Sequence, residues 1–479
     1  MKKPIVRIIS FCILLILILI GTYKVFSFKY SEGNQILVDF YRVEKNTVDV
    51  LILGSSHAYT NYNNGTLWDD YGITSYNLGS SEQPLWNTYY YLKEALKHQQ
   101  PKLIILEGFG TAFNFDYSAD TRVIKSIFGM RWNKNRIDAL KASVKKEDWN
   151  YLFFDYTRFH SRYSSLNKGD FFPDSNFGEG DYYPHFKGLM GQCLVYESNP
   201  LEILDFSDVT EPLPLWEKTA VYYEKILDLA DEENIPVAVI VTPYQISEMA
   251  HRYYLSAAEI AEEHGAMFLD ATNLIDEIGI DLEVDYADSA HFNAAGSVKW
   301  TRFVGDYITS NFDLPDHRGD EKYSAWDNTA ELTRRYIAKA EILNCEDITK
   351  MSELIGNPMF SVIITSDGYF ENKDPELLEF LSKQGIDNPE GNYIWFRKTG
   401  ADTWATVPYG AEYYERTKDH DILTDRQTDA DGIFFNAIVV DNENQQKVAN
   451  GINVLVFDPY TDVIVDSFGV DVDSHSLVR

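Results

Sequence analysis

Five short candidate strands, most of them apolar runs, limit what this chain can fold into. They are Asp49–Leu53, Ser75–Leu78, Lys102–Leu106, Pro236–Val241 and Ala266–Leu269. The first two run straight into Gly54 and Gly79. Short runs rich in Val, Ile and Leu, bounded by turn residues, read as strands covered on both faces, as in a parallel sheet. Ser56–Trp68 reads as a polar turn and short helix. Helical periodicity follows at Leu85–His98, Trp216–Glu232, Ile246–His264 and Ala294–Ser310. Strands alternating with helices predict a doubly wound α/β sheet in three layers. Residues 110–215 break that rhythm, being rich in aromatics, Asp, Asn and Gly with no clear strand. They are expected to form an insertion above the sheet, where loops at strand C-termini build sites.

The N-terminus carries a different signal. Lys2, Lys3 and Arg7 precede Ile8–Tyr23, which holds no charge before Lys24. This is the pattern of a signal peptide or signal anchor. No small-x-small cleavage site precedes Ser31, and Cys12 follows bulky Phe11, so there is no lipobox. The expectation is an uncleaved anchor over residues 1–29, N-terminus in the cytoplasm and the rest extracytoplasmic. Residues 30–47 read as a juxtamembrane connector. The net charge of −32 argues against a chain-wide nucleic-acid binder. Three cysteines, Cys12, Cys193 and Cys345, are too few and too scattered for a zinc site. They allow at most one Cys193–Cys345 bridge. The 32 Tyr and 28 Phe suit either a core or a carbohydrate-facing surface.

Two motifs carry chemistry. The first strand runs into Gly54-Ser55-Ser56-His57. A Ser just past a strand end, on a turn into a helix, projects its hydroxyl at the sheet edge beside free backbone N–H groups. Ser is also a common helix N-cap, so the turn alone decides little. The second motif, Tyr286 to Gly296, contains Asp288 and His291 and follows the last strand. In a turn, Asp at i and His at i+3 can converge, the His taking a Ser proton and the Asp orienting it. An N-capping Asp with an exposed His is the structural alternative.

Together these motifs resemble the SGNH/GDSL hydrolase superfamily over about residues 45–312. Gly54-Ser55-Ser56-His57 matches its first block, implying Ser56 as nucleophile. Asp288-Ser-Ala-His291 matches its last block, implying Asp288 and His291 as the other triad members. Asn77-Leu78-Gly79 matches the second block, implying an oxyanion hole from the N–H groups of Ser56 and Gly79. The third block, Gly-x-Asn-Asp, is replaced by Glu107-Gly108-Phe109-Gly110, which leaves the third oxyanion donor in doubt. Ser55 stands in place of the usual Asp. The closer resemblance is to the membrane-anchored branch containing the D-alanine transfer protein of lipoteichoic acid synthesis and the alginate and peptidoglycan O-acetylation proteins. It implies a flavodoxin-like SGNH-type domain over 30–315. It further implies an acylated glycan or teichoic-acid-like polymer as substrate, a multi-spanning membrane acyltransferase as partner, and no metal or organic cofactor. His57 either contacts substrate or caps and packs at the turn; Gln83 and Tyr244 are candidate substrate contacts near the same edge, with Glu82 and Gln245 in the same class. Glu107, at the third strand end, is expected to be a solvated loop residue, with a buried carboxylate as the alternative. A basic run from Arg122 to Lys146, interleaved with apolar residues, is either a solvated helix face or a surface for an anionic membrane or polymer.

The polar stretch 312–325, with Pro315 and Gly319, reads as a domain boundary. Beyond it, 325–479 reads as a smaller α+β domain, helical at Asn328–Ala340. Strands are expected at Phe360–Ile364, Tyr393–Arg397, Gly432–Val440 and Ile452–Phe457. The segments Gly451–Asp458 and Val463–Gly469, with Asp374–Gly385 as an early helix, resemble the interleukin-like EMT-inducer domain. That implies a carbohydrate-binding or accessory role. The leading functional expectation is an extracytoplasmic O-acyltransferase. A non-catalytic glycan-binding or scaffold protein, or a carbohydrate esterase, is the alternative.

Overall fold

The structure is a computed structural model. It describes residues 2–26, 32–149, 160–166, 168–171, 186–196, 201–366, 374–386, 394–407, 411–428 and 434–479. The chain divides into two compact units, 1–333 and 334–479. Lys2–Phe26 is one continuous helix, α1, whose Pro4–Phe26 stretch has a mean hydropathy of 2.8. At 1.5 Å per residue it is about 34 Å long, enough for a hydrocarbon core of ~30 Å. It is the one helix among the described residues long and apolar enough to cross a bilayer, and it meets the description of an anchor or a signal sequence alike.

The connector expected after it is instead helix α2, Glu32–Phe40, and part of the core. Ile36, Leu37 and Phe40 recur at helical spacing and are fully buried. Phe40 meets Tyr76 edge-on at 5.0 Å, and the Tyr76 hydroxyl donates to the Ile36 carbonyl.

Five strands follow the sequence expectation: β1 Val50–Gly54, β2 Ser75–Gly79, β3 Leu103–Glu107, β4 Val237–Val241 and β5 Met267–Asp270. They form one parallel sheet in the order β2-β1-β3-β4-β5. Successive residues of a strand face opposite sides, and the burial follows that alternation. Leu51, Leu53, Ile104, Leu106 and Val239 enter one core, with Tyr91 and Leu92 of helix α5 (Leu85–Ala95; α3 and α4, Ser56–Asn61 and Asn64–Tyr71, precede it). Helix Glu217–Glu232 adds Tyr223 and Ile226 to that core. Val50, Ile52, Ile105, Ala238 and Ile240 enter a second core, with Trp300, Val304 and Ile308 of helix Ala294–Asn311. With both faces covered, the inner strands β1, β3 and β4 need no polar side, which is why they read as apolar runs.

Among its described residues, the 110–215 insertion holds short helices, including Asp120–Ile127 and Lys134–Ser143, and no strand. The rest of it, 150–159, 167, 172–185 and 197–200, lies outside the described residues. Part of the basic run within it is engaged locally, while Lys145 and Lys146 are exposed. Arg122 pairs with Glu82, Lys134 with Asp138, and Lys125 with Glu32 at 2.9 Å. Arg136 is buried, donating to the Phe128 and Met130 carbonyls and stacking on Trp132. Arg131 lies over Tyr41 at 4.2 Å. The apolar residues between them, Val123, Ile127 and Met130, are core. None of the three cysteines is in a disulfide.

The stretch 312–325 is not a boundary between units. His317 meets Asp49 at 2.7 Å and stacks on Tyr323 at 3.8 Å, while its N–H donates to the Gly72 carbonyl. Trp326 is buried and donates to the Ser75 carbonyl. The polar residues stitch the chain onto the sheet, and the division falls inside helix Ala325–Leu343. The second unit, taken by itself, is α+β. Its larger sheet is antiparallel and contains Ser361–Ser366, Ile394–Arg397, Gly451–Asp458, Val463–Asp471 and Ser476–Val478. Helix Pro375–Lys383 is N-capped by Asp374. Phe434–Val440 belongs to a second sheet. Tyr393 and Gly432, at the ends of two expected strands, lie outside the described residues.

Candidate active site

Parallel pairing puts the C-terminal ends of β1 to β4 at one edge. Gly54 pairs with Gly79, Leu53 with Leu106, and Glu107 with Ile240. At that edge β1 turns directly into α3. Ser55 takes the N-cap position but makes no capping hydrogen bond through its side chain. Ser56 is therefore the first helical residue, where a backbone N–H has no partner within the helix. Its side chain turns away from the helix, so the N-cap alternative for Ser56 does not hold.

The Ser56 Oγ lies 2.7 Å from His291 Nε2. His291 Nδ1 lies 2.9 Å from both carboxylate oxygens of Asp288. The turn holding this pair is fixed locally. Asp288 Oδ1 accepts from the N–H groups of Ala290 and His291, at 2.8 and 3.0 Å. Ala287 N–H donates to the His291 carbonyl, and Tyr286 bridges to Phe292. Phe292 N–H donates to Asn61 Oδ1 at 3.0 Å, tying the turn to the end of α3. Helix Ala294–Asn311 is capped by Asn293, which accepts from Ala295 and Gly296. Asp288 is thus free of the capping task.

Burial works against charge on Asp288, but the His291 contact and the two backbone N–H groups hold its carboxyl below the usual carboxylate range. A carboxylate at Nδ1 fixes the proton there, so Nε2 presents its lone pair to the Ser56 hydroxyl. This is the arrangement of a general base facing a nucleophile. Ser56 is only 9% exposed, whereas the His291 and Asp288 side chains are 19% and 40% exposed. Among the described residues, no three His, Cys, Asp or Glu side chains gather as a metal site.

Gly79 sits where β1 and β2 end side by side. A Cβ there would lie 2.6 Å from the Ser55 carbonyl oxygen and 2.8 Å from that of Gly54. Only glycine permits that approach. Glu107, expected to be solvated, is fully buried. It caps the 3₁₀ turn Gly108–Ala112 by accepting from Phe109 N–H, and its Oε1 faces His57 Nδ1 at 3.5 Å.

The structure buries the three candidate substrate contacts. His57 is 1% exposed, stacked on Phe109 at 4.4 Å and edge-on to Tyr244 and His291. Gln83, also 1% exposed, spans Ser80 and Thr88 as a strut in the loop after β2. Tyr244 shares a 2.6 Å hydrogen bond with Tyr254 within a small aromatic core. Glu82 and Gln245 are the exposed members of that set. Burial here depends on which residues meet across the sheet edge, which one-dimensional spacing does not carry.

A scan against protein-family models finds no match, and a search of curated proteins finds none. Solved structures show a slight likeness. Axe2, an acetylxylan esterase from Geobacillus stearothermophilus, is 12% identical, over 56% of this chain and 96% of its own, at a TM-score of 0.28. BT4096, a gut microbial diltiazem-metabolizing enzyme, is 10% identical over 56% of this chain and 48% of its own, also at 0.28. A likeness of that size carries no argument, and the chemistry rests on the side chains themselves.

Proposed function

We propose that this chain is a membrane-anchored, extracytoplasmic serine enzyme of SGNH type. It transfers an acyl group to a cell-surface polysaccharide or teichoic-acid-like polymer. The observation that carries the enzymatic part is the continuous Ser56–His291–Asp288 hydrogen-bonded chain. The strand order β2-β1-β3-β4-β5 supports it, being the flavodoxin-like order, in which sites form beyond the strand C-termini. The N-terminal helix supports the anchor, and the basic residues before it favour a cytoplasmic N-terminus.

In this reading His291 Nε2 takes the Ser56 proton as Oγ bonds to the acyl carbon. The oxyanion receives the N–H groups of Ser56 and Gly79, each worth roughly 2.7–4 kcal/mol. The tetrahedral adduct collapses, His291 protonates the departing oxygen, and acyl-Ser56 remains. A glycan hydroxyl then gives its proton to His291 and attacks the acyl carbon, regenerating Ser56. The acyl group arrives from a multi-spanning membrane acyltransferase, and the second unit serves as a carbohydrate-facing accessory. A carbohydrate esterase would use the same steps with water as acceptor. The absence of the third-block Asn from Glu107-Gly108-Phe109-Gly110 is the one observation that favours a non-catalytic, glycan-binding scaffold.

The test is the full chain in detergent micelles, given p-nitrophenyl acetate with and without oligosaccharide acceptors. Ser56-dependent p-nitrophenol release with acetylated oligosaccharide by mass spectrometry is the expected result. Release that yields free acetate alone makes it an esterase, and release equal to a Ser56→Ala background removes the enzymatic reading. Gly79→Ala gives a second check. The added methyl must push the ends of β1 and β2 apart and carry Ser56 with them. Misplacement near 1 Å costs about 100-fold, so fluorophosphonate labelling of Ser56 should slow by roughly that factor.

A further inference from the structure

Helix α1 is exposed from Ile5 to Ile20, but Tyr23, Val25 and Phe26 at its end are half-buried. Two short turns of the insertion, His160–Ser164 and Lys168–Phe171, pack against it. Arg162 Nη1 donates to the Phe26 carbonyl at 3.0 Å, one of the last carbonyls of the helix, which have no partner within it. Arg162 Nη2 donates to Asp170 Oδ1 at 2.8 Å, and Asp170 is buried. This ion pair clamps both turns onto the helix end. The residue after each partner is a large exposed ring, Tyr163 at 73% and Phe171 at 55%. Single exposed apolar side chains are ordinary on a protein surface. Two of them beside the end of a helix able to cross a bilayer have a ready partner in the lipid.

We propose that these two turns are a second membrane contact, with the Tyr163 and Phe171 rings seated in the interfacial layer of the lipid bilayer. The inference rests on the reading of α1 as a membrane anchor. In that reading the end of α1 marks the membrane surface. The interfacial layer on each side of the hydrocarbon core is about 5–8 Å thick, and aromatic rings are favoured there. Tyr163 adjoins Arg162 and Phe171 adjoins Asp170, so the clamp sets both rings beside the point where α1 leaves the hydrocarbon. Arg162 suits the same place, because its charge meets a carboxylate and a backbone carbonyl rather than lipid. The contact bears on the catalytic edge. Gly33 stands seven residues beyond Phe26, a reach of at most ~25 Å. A Cβ on Gly33 would lie 2.3 Å from Ser80 Cβ, in the loop directly after Gly79. The chain therefore passes from the membrane to the end of β2 within that span. Two attachments to lipid hold this edge in one orientation, where a single helix would let the domain turn.

The test is depth-dependent fluorescence quenching of the full chain in nanodiscs of phosphatidylcholine and phosphatidylglycerol. Cys12→Ser removes the exposed thiol, and Cys193 and Cys345 are buried. An environment-sensitive dye is attached to Tyr163→Cys or Phe171→Cys. The references are Leu15→Cys, at the middle of the apolar stretch of α1, and Glu232→Cys, exposed at the end of the helix before β4. All four side chains are exposed, so none of the substitutions opens a cavity. Doxyl lipids carry the quencher either near the headgroup or at the chain end. Blue-shifted emission is expected for Tyr163→Cys and Phe171→Cys, with stronger quenching by the shallow doxyl than by the deep one. Leu15→Cys should show the reverse preference, and Glu232→Cys should respond to neither. If Leu15→Cys is quenched from the chain end while Tyr163→Cys and Phe171→Cys respond no more than Glu232→Cys, the anchor stands and the second contact is overturned. An unquenched Leu15→Cys overturns the anchor, and the second contact falls with it.

Discussion

Ser56→Ala should lower turnover of an activated acyl ester by roughly 10⁴- to 10⁶-fold, and should abolish the fluorophosphonate adduct. The size follows from what the Oγ does in the proposed mechanism. It is the atom that bonds to the acyl carbon, and among the described residues it is the hydroxyl that His291 Nε2 meets. Ser55 is adjacent, yet its Oγ is buried with no hydrogen-bond partner among the described residues, His291 included. The variant should fold almost as well as the parent. Removing the Oγ deletes one hydrogen bond to a ring that is still 19% exposed and can take water instead. That costs about 1 kcal/mol at most. Thermal melting and ester turnover on the same samples check both halves. A small shift in Tm with complete loss of turnover assigns the loss to chemistry. Turnover that survives Ser56→Ala means the reacting group lies elsewhere.

The parts of this protein legible in the sequence are those where local pattern and tertiary role coincide. The runs at Val50, Leu103 and Val237 are apolar throughout because both faces of the sheet are covered, so their pattern alone implied a parallel arrangement. The pairing of Ser56 with the Asp288–His291 turn was legible because parallel strands bring their C-terminal ends to one edge, whatever their separation along the chain. What was not legible depends on contacts between distant segments. Glu107 looks like a loop acid in one dimension. It is buried because it ends β3 against Gly54 of β1 and faces His57 at the start of α3. The helix Glu32–Phe40 carries only three apolar residues in helical register, a signal easily taken for a connector beside the stronger anchor before it. The stretch around His317 has boundary composition, yet the His317 ring meets Asp49, its backbone N–H donates to the Gly72 carbonyl, and Arg318 donates to the Asp69 carbonyl. Several of the basic residues from Arg122 onward are similarly matched with acids, carbonyls and rings, while Lys145 and Lys146 are exposed.

Asp288→Asn should lower kcat by about 10⁴-fold near neutral pH. The turn itself should persist, because an amide oxygen can accept from Ala290 and His291 N–H as the carboxylate does. The change is in which ring nitrogen carries the proton. In the parent, a carboxylate held below its usual pKa by those N–H groups and by His291 can only accept, which puts the proton on Nδ1. An amide can turn its NH₂ toward Nδ1, and the proton then sits on Nε2, facing the Ser56 hydroxyl with no lone pair to offer. The sign of the pH dependence follows. The depressed folded pKa of Asp288 means its contribution is present above the unfolded pKa and is lost as pH falls through the folded value. Since the side chain is 40% exposed, screening keeps its effect on stability small, and the parent loses activity on the acid side mainly by losing an orienting charge and a free Nε2. The variant lacks that base at every pH and depends on hydroxide to ionise Ser56, so its residual rate should climb with alkaline pH where the parent is flat. Ser56→Ala, by contrast, has no nucleophile to ionise, and its residual rate should follow the uncatalysed background. The two pH–rate profiles together distinguish a working triad from three side chains that merely touch, because contact alone predicts no difference between them.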